Sequence, residues 1–190
     1  MLKIALTGNI ASGKTQVQHI LESLGFKVLD TDIVCHELLE SNAAIEAAFS
    51  NYDIFDNGKI SRDKLGKLVF SNLDLKTMLE HLIYPDLVSE IKTFFDKNTD
   101  KKIVFVAVPQ LFEAGMEGLF DKTVTVYCDD KIRMERLIKR SGFSRRYAQL
   151  RLVSQMDQKE KVKRSDFVIC NNSNIEDLNT EVANFISKNF

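Results

Sequence analysis

Residues 2–15 read LKIALTGNIASGKT. Leu2 to Thr7 is a short apolar run that stops at Gly8, as a buried strand does. Gly8 to Thr15 then has the form G-x-x-x-x-G-K-T. From Lys14 to Leu24 the apolar residues Val17, Ile20, Leu21 and Leu24 recur at helical spacing on one face, with Gly25 as a C-terminal stop. A strand, a glycine-framed loop and a helix in this order make a phosphate-binding loop. Gly8 and Gly13 allow backbone angles that turn successive N–H groups into one concavity. The helix N-terminus adds partial positive charge. The expected nucleotide-binding residues are Gly8, Asn9, Ile10, Ala11, Ser12, Gly13, Lys14 and Thr15, with Gln16 beside them. Lys14 is expected to reach the β and γ phosphates of ATP, and the Thr15 hydroxyl to hold Mg²⁺.

Phe26 to Leu29 reads as a second strand that ends at Asp30-Thr31-Asp32. Residues 33–98 change character. Apolar positions such as Leu65, Leu68 and Val69, then Leu75, Met78, Leu79 and Leu82, recur at helical spacing, so the region reads as a set of helices with a turn at Asp56-Asn57-Gly58. IVFVAV at 103–108 is a buried strand closed by Pro109, and Thr123 to Cys128 is another. Lys131 to Arg140 reads as a helix. Ser144 suits the N-cap of a further helix to about Gln155. Phe167 to Cys170 is the last strand and Asn174 to Lys188 the last helix. Strands alternating with helices predict an α/β fold, a parallel sheet with helices on both faces. Ligands in such sheets lie beyond the carboxyl ends of the strands, where Gly8, Asp30 to Asp32, Pro109 to Glu113 and Asn171 all fall.

Two carboxylates follow the second strand. Residues two apart in an extended stretch point the same way, which would turn Asp30 and Asp32 together toward the phosphates. Either could accept a proton from an acceptor hydroxyl or hold a metal-bound water, and Asp32 is the favoured base. The alternative for Asp32 is a helix N-cap. Between Lys139 and Arg151 there are five basic residues and no acidic one. Arg133, Arg136 and Arg140 share a helical face. Arginines stabilise charge on a moving phosphoryl group, and Arg140 is the best placed; ion pairing or simple solvation is the competing reading.

Other features exclude function classes. The 190 residues are 44% hydrophobic and 28% charged, with a formal net charge of −1, which disfavours wholesale nucleic-acid or membrane binding. Cys35, Cys128 and Cys170 are scattered and suit buried thiols in a reducing compartment. The apolar N-terminal stretch is too short for a signal segment and no run approaches a membrane span, so a cytoplasmic protein is expected. DIFDNGKISRDK at 53–64 imitates a calcium loop, but Phe55 and Lys64 stand where oxygen ligands are required. His19, His36 and His81 share no spacing with acids or cysteines. Asn171 to Asn174 read as a polar loop after the last strand.

Nearly end to end, the chain resembles the dephospho-CoA kinases. The resemblance rests on LTGNIASGKT, LGFKVLDTDIV, the helical stretch ending LIYPDL, VAVPQLFEAG, KRSGFSRR, the helix at Gln155 and SDFVICNN. It implies transfer of the ATP γ-phosphate to the ribose 3′-hydroxyl of dephospho-CoA, the last step of coenzyme A synthesis. It also implies a single P-loop kinase domain, 1–190, in three parts: a core of about 1–32, 99–138 and 156–190, a helical acceptor-binding region of about 33–98, and a lid of about 139–151. Asp32 maps to the base, Lys14 to the loop lysine and Arg140 to a lid arginine. Some positions depart from the commonest pattern. Asn9 and Ala11 replace loop glycines, Gln16 stands for a threonine, Gln110 for an apolar residue, and Tyr84 for the histidine before proline. Shikimate kinase also joins a phosphate loop to an Asp-x-Asp stretch, but its later triple glycine is missing here. A nucleoside monophosphate kinase is a second alternative, and a nucleotide-gated switch a third, although no N-K-x-D guanine motif occurs.

Overall fold

The computed structural model describes residues 1–56 and 58–190. In chain order the elements are β1 (Leu2–Thr7), α1 (Lys14–Ser23), β2 (Lys27–Asp30), α2 (Thr31–Ser41), α3 (Ala43–Ala48), β3 (Phe55–Asp56) and β4 (Lys59–Ile60). There follow α4 (Arg62–Ser71), α5 (Leu73–Lys97), β5 (Ile103–Ala107), β6 (Lys122–Tyr127), α6 (Asp130–Ser141), α7 (Arg145–Val153), α8 (Gln158–Arg164), β7 (Phe167–Cys170) and α9 (Ile175–Asn189). They fall into two compact units, Met1–Asp30 with Asn98–Phe190, and Thr31–Lys97.

The first unit is built on a five-stranded parallel sheet in the order β2-β5-β1-β6-β7. Alternation decides which side chains share a face. Ile4 and Leu6 of β1 lie beside Phe105 and Ala107 of β5, and Leu6 beside Val124 of β6. These join Val17, Ile20 and Leu21 of α1 and Leu178, Val182 and Phe185 of α9 in one buried core. On the other face Thr125 meets Ser165, which follows α8. All five strands run the same way, so Gly8, Asp30, Val108, Cys128 and Asn171 emerge at one edge. β1 is central, with β5 and β6 on either side, so its carboxyl end is the switch point where such sheets open a crevice.

The second unit has its own core of Ile45, Phe49, Ile54, Leu65, Leu75 and Ile83, with Tyr84 packed against it. Asn42 caps α3, accepting from Ala44 and Ile45 N–H at 3.0 and 3.1 Å. The region is not helical throughout, because β3 pairs with β4 as a short antiparallel ribbon, Phe55 opposite Ile60 and Asp56 opposite Lys59. The expected Asp56-Asn57-Gly58 turn includes Asn57, which lies outside the described residues. Lys64, one of the two residues that spoil the calcium pattern, has its ammonium 3.0 Å from Asp53 and 2.9 Å from Asp56, so a side-chain cation takes those oxygens. The helix through Tyr84 continues past Pro85, which lies inside α5.

One further expectation needs correction. The helix capped by Ser144 stops at Val153 rather than near Gln155. A separate helix, α8, begins at Gln158 with Asp157 as its cap. Seven residues with only Val162 as an aliphatic position carry almost no periodic signal.

Candidate active site

β1 ends at Thr7, and the chain turns at once through Gly8 to Gly13 into α1. Ser12 N–H closes the turn on the Asn9 carbonyl at 3.0 Å. Ala11 (φ 63) and Gly13 (φ 96) both adopt left-handed backbone. Gly13 precedes α1 without any side-chain cap, and no acidic residue stands in the first turn, so nothing in that turn offsets the positive end of the helix dipole. Both framing glycines are held to their identity by neighbours. A β-carbon on Gly8 would come within 2.9 Å of the Val126 carbonyl, and one on Gly13 within 2.0 Å of Asn171 Nδ2.

Asn171 is the residue the sequence reading undervalued. It is buried at the end of β7, and its Nδ2 donates to the Ser12 carbonyl at 2.7 Å. Its Oδ1 accepts from Arg136 at 3.4 Å, and Arg136 also donates to the Ser173 carbonyl at 3.3 Å. Asn172 accepts the Asp129 N–H at 2.8 Å, and Asn174 caps α9. The supposed polar loop is thus a set of fasteners. Its signal was present only as an asparagine immediately after a buried strand.

Lys14 opens α1 and is buried, with its Nζ 3.9 Å from Asp30 Oδ1; the two side chains are 9% and 12% exposed. Asp30 closes β2, whereas Asp32 lies in the first turn of α2 and is exposed. The parity argument for the pair fails here, because α2 begins at Thr31 and the chain is no longer extended between them. Asp32 is an acidic first-turn residue rather than a capping one, which suits the helix dipole. Thr15 and Gln16 follow Lys14 on the exposed side of α1.

The three arginines on the face of α6 grade from buried to exposed. Arg133 is buried, donating from Nε to the Ile10 carbonyl at 3.0 Å and from its NH1 nitrogen to Asp130 at 2.8 Å. Burial pulls its guanidinium below the ordinary value, with Asp130 opposing. Arg136 is partly buried, and Arg140 in the last turn is exposed. Beyond Gly142, Met134 and Leu137 of α6 pack with Ala148 and Leu152 of α7, and Ile10 and Ala11 of the phosphate loop join that cluster. The replacement of a loop glycine by Ala11 therefore supplies a packed methyl group, and that of another by Asn9 supplies a donor, since Asn9 Nδ2 reaches the Met156 carbonyl at 2.8 Å. Ile10 N–H is taken by Gln155 Oε1 at 2.7 Å and Ser12 N–H by the Asn9 carbonyl at 3.0 Å, so these two groups hold the loop in shape.

A parallel sheet with β1 at its centre, carrying this loop at its carboxyl end, defines the class: a P-loop kinase fold. The sequence pattern of the dephospho-CoA kinase family matches residues 2–177. The chain belongs to that family. A dephospho-CoA kinase of Fusobacterium nucleatum is 38% identical over 185 residues, covering 96% of this chain and 95% of the relative. The crystal structure of a Thermus thermophilus protein superposes with a TM-score of 0.87 at 30% identity, over 100% of this chain and 98% of that one. The dephospho-CoA kinase from Campylobacter jejuni superposes with a TM-score of 0.75 at 31% identity, over 98% and 96% of the two chains. Among the described residues, no helix is long and apolar enough to cross a membrane.

Proposed function

We propose that this chain transfers the γ-phosphate of ATP to the ribose 3′-hydroxyl of dephospho-CoA, giving coenzyme A and ADP. The observation that carries the reading is the loop from Gly8 to Thr15, left-handed at Ala11 and Gly13, running into an uncapped helix that begins at Lys14. Family membership supports the choice of acceptor.

In this reading the backbone from Ala11 to Thr15 cradles the phosphates and Lys14 neutralises charge on the group in transfer. Arg140 adds charge to the same group from the basic segment at about 139–151, which serves as a lid. Asp32 accepts the proton of the attacking hydroxyl and orients it for in-line attack. The region of about 33–98 holds the acceptor. The donor set fits Mg²⁺ carried in with the nucleotide. Thr15 offers one exposed hydroxyl in the first turn of α1, and among the described residues no cluster of three acids, histidines or cysteines forms a cage. Bound there with the phosphates, Mg²⁺ would neutralise their charge. Cys128 is buried, Cys35 partly buried and Cys170 exposed, rather than all three buried, and scattered thiols of this kind suit a cytoplasmic enzyme.

The test is a coupled assay of the purified protein with ATP, Mg²⁺ and, separately, dephospho-CoA, shikimate and AMP. Turnover with dephospho-CoA alone is expected, and its loss in Lys14→Ala. Transfer to shikimate or AMP in place of dephospho-CoA would overturn the acceptor assignment. Unchanged turnover in Lys14→Ala would overturn the phosphate-loop assignment.

A further inference from the structure

Two loop residues are gripped by one short segment between α7 and α8. Ile10 N–H donates to Gln155 Oε1 at 2.7 Å, and Asn9 Nδ2 donates to the Met156 carbonyl at 2.8 Å. Ile10 and Ala11 pack onto the apolar cluster of α6 and α7 immediately upstream. The segment is itself tied to the sheet. Met156 N–H donates to Glu113 Oε1 at 3.1 Å, and that carboxylate pairs at 2.9 Å with Lys161, whose side chain is 0% exposed. Lys161 also donates to the Pro109 carbonyl at 2.8 Å, and Thr7 Oγ1 donates to the same carbonyl at 3.2 Å. The path closes on itself: from β1 through Pro109, Lys161, Glu113 and Met156 back to Asn9, two residues beyond the start.

We propose that Gln155-Met156 is a clasp that sets the phosphate loop, and that Gln155 is a positioning residue for the nucleotide phosphates. The proposal rests on the reading of this loop as the ATP phosphate site. A flexible loop of successive N–H groups binds a polyphosphate well only when those groups are aimed before the ligand arrives. Ile10 has its N–H held by Gln155 and its carbonyl by Arg133, which fixes the peptide planes on both sides of the turn. An amide is suited to this post. A carboxylate would accept the same N–H but would set a negative charge beside an anion site. Because Gln155 and Met156 also end the arm that carries α7, the arm's seating and the loop's aim are mechanically one.

The experiment is calorimetric titration of the full-length protein with ADP and with adenosine, for wild type, Gln155→Ala and Gln155→Met, together with the Michaelis constants for ATP and dephospho-CoA. Gln155→Met keeps the length and removes the acceptor, so it also serves if the alanine variant folds poorly. The expected result is ADP affinity lower by about tenfold in both variants, the size of one lost hydrogen bond in an anion site, with adenosine affinity and the dephospho-CoA constant unchanged. The ATP constant should rise in parallel with the ADP loss. Equal losses for ADP and adenosine would show a general structural role and overturn the clasp. Unchanged ADP affinity in the variants would overturn it too, while leaving the phosphate site standing. Failure of the wild type to bind ADP would instead remove the phosphate-loop reading beneath it.

Discussion

Asp30 closes β2 and Asp32 stands in the first turn of α2, so their carboxylates leave the backbone from different elements. An Asp30 oxygen lies 3.9 Å from Lys14 Nζ. This gives the two acids separable signatures. Asp32→Asn is expected to lower kcat by about 10² or more with little change in ADP affinity, because the amide keeps shape but cannot take a proton. Asp30→Asn should act chiefly on the Michaelis constant for ATP, by releasing the lysine head. Steady-state kinetics on both variants decides, and exchanged patterns would give the base to Asp30. Gly13 makes a second residue-scale case. Gly13→Ala places a methyl group in left-handed backbone and 2.0 Å from Asn171 Nδ2. The strain and the displaced Asn171–Ser12 hydrogen bond together should cost about 2–4 kcal/mol. Urea unfolding of the variant measures that loss, and ADP titration should show weakened binding.

At the scale of elements, the short edge strand β7 is tied to β6 by Asp166, just before its first residue. Its carboxylate accepts from Thr123 N–H at 2.8 Å, Thr123 Oγ1 at 2.9 Å and Lys122 Nζ at 2.9 Å. Burial pushes this carboxyl up, but hydrogen bonds from Lys122 and Thr123 outweigh burial and hold it below the ordinary value. A depressed carboxyl contributes stability that is complete above the unfolded value of about 4 and is lost as pH falls through the folded value. Asp166→Ala should therefore cost about 1–2 kcal/mol at neutral pH, discounted for the exposed lysine bond, and much less in acid once the folded carboxyl is protonated. Urea denaturation at several pH values checks this; a cost independent of pH would mean the carboxylate charge is not what holds β7. The phosphate loop depends on that anchoring, because β7 delivers Asn171 to Ser12.

Over the whole molecule, a ligand that binds only the folded chain stabilises it by mass action. ADP at 100 times its dissociation constant should add about 2.7 kcal/mol, a rise in Tm of about 5–10 °C for a chain of this size. Differential scanning fluorimetry with ADP and with shikimate separates the nucleotide effect from a general one. Much of the architecture was legible in the letters. Five apolar runs of strand length alternated with helical periodicity, and one glycine-framed motif stood between the first strand and the first helix. Those are local signals, set by side-chain period and backbone freedom within a dozen residues. The departures at Asn9 and Ala11 were legible only as departures. That Asn9 reaches Met156, that Ile10 is held by Gln155 and Arg133, and that Asn171 lies against Gly13 are contacts between residues more than 100 positions apart. A phosphate loop on a parallel sheet follows from those patterns alone, because they act through neighbours along the chain. Which side chains hold that loop in place emerges only in the folded chain, because polar fasteners have no period and meet their partners only once the strands have been ordered side by side.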